Sequence, residues 1–376
     1  MDKILNLGKI STAMEQVGVS PAAIAKQLDV SRESVSKWLS GKSLPRPDKL
    51  LRLALALNLK LDELVIRAID PAEPVIAFRK RGNSKTTETH IARAKDMGRM
   101  LSELVPYLPY DLLVQPATLK NPTTDYGYIQ QVAAKIRAEI GVTPDDELSF
   151  NHLIKKFNDL QAVIIPVLWG KKVQHENALH IYLPDSMTTW VYLNLDVEVH
   201  DFKFWMAHEL GHVHTPELRG AQAEDFADAL AGALIFPETL ASMAHDAVMR
   251  ARTDKGRVAK IREFADCYKI SMISVYYEIN KYASHHNLET VNLDNGALFG
   301  ANTNFNKLYP TVSQILFDTD TPDPQSYIEA AGRLFESPIF DALKSYLLEH
   351  SKSAGYVQSI LNTPLLDAKG IHAELT

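Results

Sequence analysis

The chain of 376 residues holds a single cysteine, Cys267. An intrachain disulfide is impossible, so a disulfide-stapled secreted fold is excluded, and a cysteine-based zinc finger with it. No run approaches the roughly 18 consecutive apolar residues that a membrane span needs. Residues 1–10 lack the apolar stretch of a secretory signal. A cytoplasmic protein without membrane contact is the expectation. Positive charge is also short: 40 Lys and Arg stand against 46 Asp and Glu, a net −6. That balance argues against a protein coated along its length in nucleic acid. Hydrophobic residues are present in ordinary amount, 46%, enough over this length for two or three domains.

The charge is unevenly spread. Residues 1–70 hold 11 Lys/Arg and 8 Asp/Glu, net +3, which leaves −9 for the remainder. The sign suits a DNA-facing head on an acidic body. The prolines of Asp70-Pro71-Ala72-Glu73-Pro74 disfavour helix. The basic stretch that follows, from Arg79 through Lys85, reads as a solvated surface, so residues 71–85 are a predicted linker. A helix through Leu104 completes a connector over 71–125. Helical spacing returns at 126–140 and 148–160. Strands are predicted at 162–168, 180–183 and 190–195, with Pro184-Asp185-Ser186 as a turn signal. Helix dominates from Phe202 to about Ser284. Residues 296–323, rich in Asn, Thr, Pro and Asp, are a predicted loop, and 326–350 a helix. The fold class is mainly α with a small β-sheet (α+β), divided as 1–70, 71–125, 126–295 and a helical region of unknown role at 296–376.

Near the amino terminus, Ser20-Pro21 is a good N-cap and first helical residue for a helix through Leu28. Ser31 caps a second helix, Arg32 to Leu39, whose apolar face is Val35, Trp38 and Leu39. Gly41 suits the left-handed residue that ends it. Two short helices around a tight turn are a helix-turn-helix layout. The second carries Arg32, Glu33, Ser34, Ser36 and Lys37 away from the core. Arg forks onto guanine, while Lys and Ser hold phosphate.

The run from Ser31 to Pro45, with Gly41-Lys42 at its exit and the Leu/Ala-rich segment from Leu50 to Leu57, resembles the Cro/CI-type (XRE) helix-turn-helix family over residues 8–66. The resemblance implies a five-helix, lambda-repressor-like domain that binds a double-stranded operator as a homodimer through Arg32, Glu33, Ser34, Ser36, Lys37 and Lys42.

The strongest chemical signal is His208-Glu209-Leu210-Gly211-His212. Residues four apart share a helix face, so both imidazoles reach one ion, and Glu209 beside them is placed to take a proton from water. Catalytic zinc needs a third protein ligand. Glu224 heads a second helical run and is the favoured candidate, with Asp225, Glu217, His214 and His245 as competitors. Asp228, one turn after Glu224, is placed to accept from the outer N–H of a ligand histidine.

Together these motifs, with Ala227, Ala231, Leu234, Ile235 and Pro237, resemble the ImmA/IrrE family of gluzincin-like metallopeptidases over about 127–250. Leu230, Phe236 and the segment Val213-His214-Thr215-Pro216 depart from the family pattern without removing a ligand. The resemblance implies one Zn²⁺ per chain on His208, His212 and Glu224, Glu209 as catalytic base, and cleavage of a repressor or of the chain itself in a stress, phage or toxin–antitoxin setting. The alternative is an antitoxin or repressor whose peptidase-like domain only senses or binds a partner such as a toxin.

Overall fold

The computed structural model describes residues 3–67, 73–79, 88–110, 118–170, 177–319 and 322–376. The chain divides into two compact units, Met1–Glu73 and Pro74–Thr376.

In the first unit, β1 (Lys3–Leu5) and β2 (Val65–Arg67) pair antiparallel around α1 (Leu7–Val17), α2 (Pro21–Leu28), α3 (Arg32–Leu39), α4 (Pro47–Ala56) and α5 (Leu61–Leu64). The caps sit where the sequence puts them. The Ser20 hydroxyl accepts from the Ala23 N–H at 3.2 Å, and that of Ser31 from the Ser34 N–H at 3.0 Å. Gly41 has φ +72°, a conformation that a β-carbon would strain. Ile10, Ile24, Leu28, Val35, Trp38, Leu53, Leu57 and Leu64 close a small core of their own.

The second unit begins with β3 (Val75–Arg79), α6 (Glu88–Ser102), α7 (Tyr126–Glu139) and α8 (Phe150–Asp159). There follow β4 (Ala162–Val167), β5 (Ala178–Leu183), β6 (Thr188–Asn194), α9 (Val199–His214), α10 (Gly220–Ile235) and α11 (Glu238–Met249). The rest is helical: α12 (Asp254–Tyr268), α13 (Met272–His285), α14 (Asn295–Asn306), α15 (Val312–Phe317), α16 (Pro324–Phe335), α17 (Ile339–His350), α18 (Ala354–Leu361) and α19 (Leu365–Leu375). The sheet order is β3-β5-β6-β4, with β4 and β6 parallel and the other pairs antiparallel.

Every residue of β4, β5 and β6 is buried, as expected of a sheet covered on both faces. Alternation sorts the side chains. Ile164, Ala178, Val191 and Leu193 face a core built with α7 to α13. Val163, Ile165, Leu179, Ile181, Trp190 and Tyr192 face a second core with α6 and α16 to α19. The parity places His180 on the first face, toward α9.

Three expectations are corrected. Residues 71–85 are not a linker throughout: Val75–Arg79 is an edge strand, paired with β5 from Val75↔Tyr182 to Arg79↔Ala178. Its backbone has partners about a hundred residues away, which local composition does not disclose; residues 80–87 lie outside the described residues. Residues 296–323 are not a loop. They hold most of α14 and all of α15, because Leu298, Phe305 and Val312 bury their side chains among their polar neighbours. A capping box of Thr311 and Gln314 starts α15. The helix expected at 326–350 is two helices, parted at Glu336, which is left-handed at φ 51°, and Pro338. The cores run across positions 125 and 295 without a break, since α6 and the last four helices share the second face of the sheet.

Candidate metal centre and nucleic-acid interface

α9 and α10 pack together through the smallest contact available. A β-carbon on Gly211 would lie 2.8 Å from the Ala227 Cα, so the two backbones touch where only glycine fits. This approach brings His208 and His212 of α9 against Glu224 of α10. The His208 and His212 Nε2 atoms are 3.1 Å apart, and each lies 3.5 Å from a Glu224 carboxylate oxygen. Ligand atoms about 2.0–2.1 Å from one tetrahedral ion stand about 3.3 Å from each other, so the donor set and its spacing fit a single Zn²⁺. Among the described residues, these three form a cluster able to hold a metal.

The surroundings are as specific. Asp228 lies 2.9 Å from the His208 Nδ1, which orients the ring with Nε2 toward the cluster. Burial pulls the His208 imidazole down, but the hydrogen bonds to Asp228 and Glu224 and the Glu209 charge outweigh it and push it up to about 9. Both histidines and Glu209 are buried, while Glu224 is partly open. The competing ligands stand elsewhere. Asp225 is exposed and, with Asp228, lines a cavity of about 1340 Å³, and the His245 Nε2 lies 2.8 Å from the Glu289 carbonyl oxygen. His214 and Glu217 are outside the cluster.

His180 of β5 was missed in the sequence. Its ring centroid lies 5.5 Å from that of His212. Burial, with the Arg219 and His208 charges, pulls it down to about 3, so it is a neutral imidazole at the cluster. A histidine on the inward parity of an otherwise apolar strand was the available signal. With His212 and Glu224 it lines a cavity of only about 220 Å³, which Val75, Ile76 and Ala77 of β3 help to close.

On α3 of the first unit, Arg32, Glu33, Ser36, Lys37 and, just beyond it, Lys42 are exposed; Ser34 is half-buried and its hydroxyl lies 2.9 Å from that of Ser31. Glu33 and Lys37 pair at 2.8 Å, and that contact lowers the Glu33 carboxyl below its usual range. Val35 and Trp38 on the opposite face are buried.

Residues 10–64 match the family model described as Helix-turn-helix. No curated protein matches the chain. The chain aligns with the crystal structure of ComR from Streptococcus suis over 98% of its length and 93% of that chain at 9% identity, but with a TM-score of 0.15 the likeness carries no argument. Among the described residues no single helix is long and apolar enough to cross a membrane. The capped helix pair, its exposed polar face and the family match make residues 10–64 a helix-turn-helix domain and the chain a DNA-binding transcriptional regulator.

Proposed function

We propose that the second unit is a zinc-dependent, gluzincin-like metallopeptidase domain of ImmA/IrrE type, and that the regulator acts by cleaving a repressor or itself. One observation carries the reading: two imidazole Nε2 atoms and a carboxylate converge at 3.1–3.5 Å with an aspartate behind the first histidine. A bound Zn²⁺ would supply Lewis acidity and lower the pKa of water. Asp228 holds His208 in one tautomer. Glu209 takes a proton from the attacking water and returns it to the leaving amine. His180, neutral and buried at the same cavity, is a hydrogen-bond donor toward the reacting carbonyl. Purified protein is expected to carry about one zinc per chain. Glu209→Gln should keep that zinc and lose proteolysis of the target. Loss of zinc from this variant would make Glu209 a ligand and end its role as base.

A second reading, an antitoxin or repressor whose body only senses or binds a partner such as a toxin, is favoured by the small volume at the cluster. About 220 Å³ is below the roughly 300–1,000 Å³ of ordinary ligand pockets.

For the first unit, Arg32, Ser34, Ser36 and Lys37, with Glu33 and Lys42 at the margins, are the proposed operator contacts of a homodimer. Arg32→Ala is expected to cost about 1–3 kcal/mol of operator affinity and to relax one base position. Lys37→Ala should weaken all sequences alike and reduce the salt slope by about one. Binding isotherms at several salt concentrations separate the two. Equal losses on specific and random DNA for Arg32→Ala would remove it from base recognition.

A further inference from the structure

We infer that the edge of β5 beside the metal cluster is a docking site for an extended peptide, and that this chain fills it with its own segment Val75–Arg79, which makes the folded protein latent. The inference deepens the metallopeptidase reading and rests on it for the identity of the cluster, though not for the pairing of β3.

The strands β4, β5 and β6 follow one another in the sequence and form a three-stranded sheet by themselves. β5 is the edge strand of that set, and it carries His180 against His212. An extended chain laid along β5 would run about 4.7–4.9 Å farther out, beside the cluster. Adding a strand to an open sheet edge is a general way to hold a peptide, with backbone hydrogen bonds giving affinity and alternate side chains giving specificity. That place is taken. β3 is the first strand of the second unit and pairs antiparallel with β5, with Ala77 opposite His180 and Val75 opposite Tyr182. By the same alternation Val75 and Ala77 lie on the cluster side of the strand, while Ile76 packs into the second core. Val75, Ile76 and Ala77 line the small cavity together with His212 and Glu224. Pro74, just before the strand, is pressed against α6: a β-carbon on Gly98 would meet the Pro74 Cβ at 2.6 Å. A seat with these features fits an extended, uncharged, β-branched or small segment in the position of a substrate. The strand stands at the start of the second unit, directly after the DNA-binding unit in the sequence, and its release would open the cluster.

The test uses the full chain. Ile76→Pro removes a backbone donor from the strand and its anchor in the second core. Val75→Cys with Tyr182→Cys, on a Cys267→Ser background, places thiols at paired positions and locks the strand when oxidised. The probes are a fluorescent octapeptide with the sequence of residues 73–80 and a zinc chelator. Ile76→Pro is expected to bind the octapeptide at least tenfold more tightly than the parent and to lose zinc at least tenfold faster. The oxidised pair should show neither binding nor rapid loss, and reduction should restore the parent behaviour. Equal octapeptide binding by parent, released and locked chains would overturn the inference. So would weaker binding by Ile76→Pro, because β3 would then be the docking edge. If no variant holds zinc, the metallopeptidase reading fails and the octapeptide alone decides this one. If Ile76→Pro does not fold, as a thermal melt would reveal, the locked pair before and after reduction decides it.

Discussion

Glu224→Ala is expected to lower zinc affinity at least a hundredfold, while Asp225→Ala leaves it unchanged. The two carboxylates are adjacent in sequence and 100° apart around α10. Packing turns Glu224 to within 3.5 Å of both imidazoles and leaves Asp225 exposed. Removing one of the three proposed ligands would leave two imidazoles, which hold Zn²⁺ poorly at neutral pH. Asp228→Asn should give the intermediate result, a loss of about 10–100-fold, because it touches the ion only through His208. Stability should follow affinity: metal at 100 times its dissociation constant adds about 2.7 kcal/mol, and at the same metal concentration that increment should fall to about 0.4 kcal/mol or less in Glu224→Ala. Competition against a calibrated chelator gives the affinities, and thermal melts with and without zinc give the increments. Zinc retained by Glu224→Ala and lost by Asp225→Ala would reverse the assignment.

Gly211→Val is expected to destabilise the second unit by about 1–3 kcal/mol and to weaken metal binding at the same time. The new side chain would begin 2.8 Å from the Ala227 Cα and 3.1 Å from its Cβ, so a backbone must move. The residue lies between His208 and His212, so movement of α9 away from α10 also separates the imidazoles from Glu224. Gly232→Ala is the useful contrast. Its β-carbon would meet the Glu278 Oε1 at 2.0 Å, a closer approach, but to the end of a side chain. Burial raises the Glu278 carboxyl, with Lys281 opposing. That side chain can swing aside, so Gly232→Ala should lose stability without losing zinc. Denaturant unfolding beside metal titration distinguishes the two. Normal zinc affinity in a destabilised Gly211→Val chain would show that the helix contact does not set the ligand geometry.

Much of this was legible one element at a time. Ser20, Ser31 and Gly41 mark helix ends through hydrogen bonds and dihedral preferences that span three or four residues, so the sequence alone located the helix pair of the DNA-binding unit. The four-residue spacing of His208 and His212 put both on one face for the same local reason, and the strands predicted at 162–168, 180–183 and 190–195 are strands in the structure, at Ala162–Val167, Ala178–Leu183 and Thr188–Asn194. Tertiary structure decided the rest. Glu224 faces the cluster and Asp225 does not because Gly211 and Ala227 set the rotation of α10 against α9, a contact between two helices that neither helix encodes by itself. His180 reaches the site because sheet alternation turns it toward α9. The polar stretch after residue 295 became helix because Leu298, Phe305 and Val312 found a core to enter. Val75–Arg79, inside the predicted linker 71–85, became a strand because β5 had an open edge to offer it. Caps and periodicities are properties of neighbouring residues, whereas a sheet edge or a helix rotation exists only once distant parts of the chain have met.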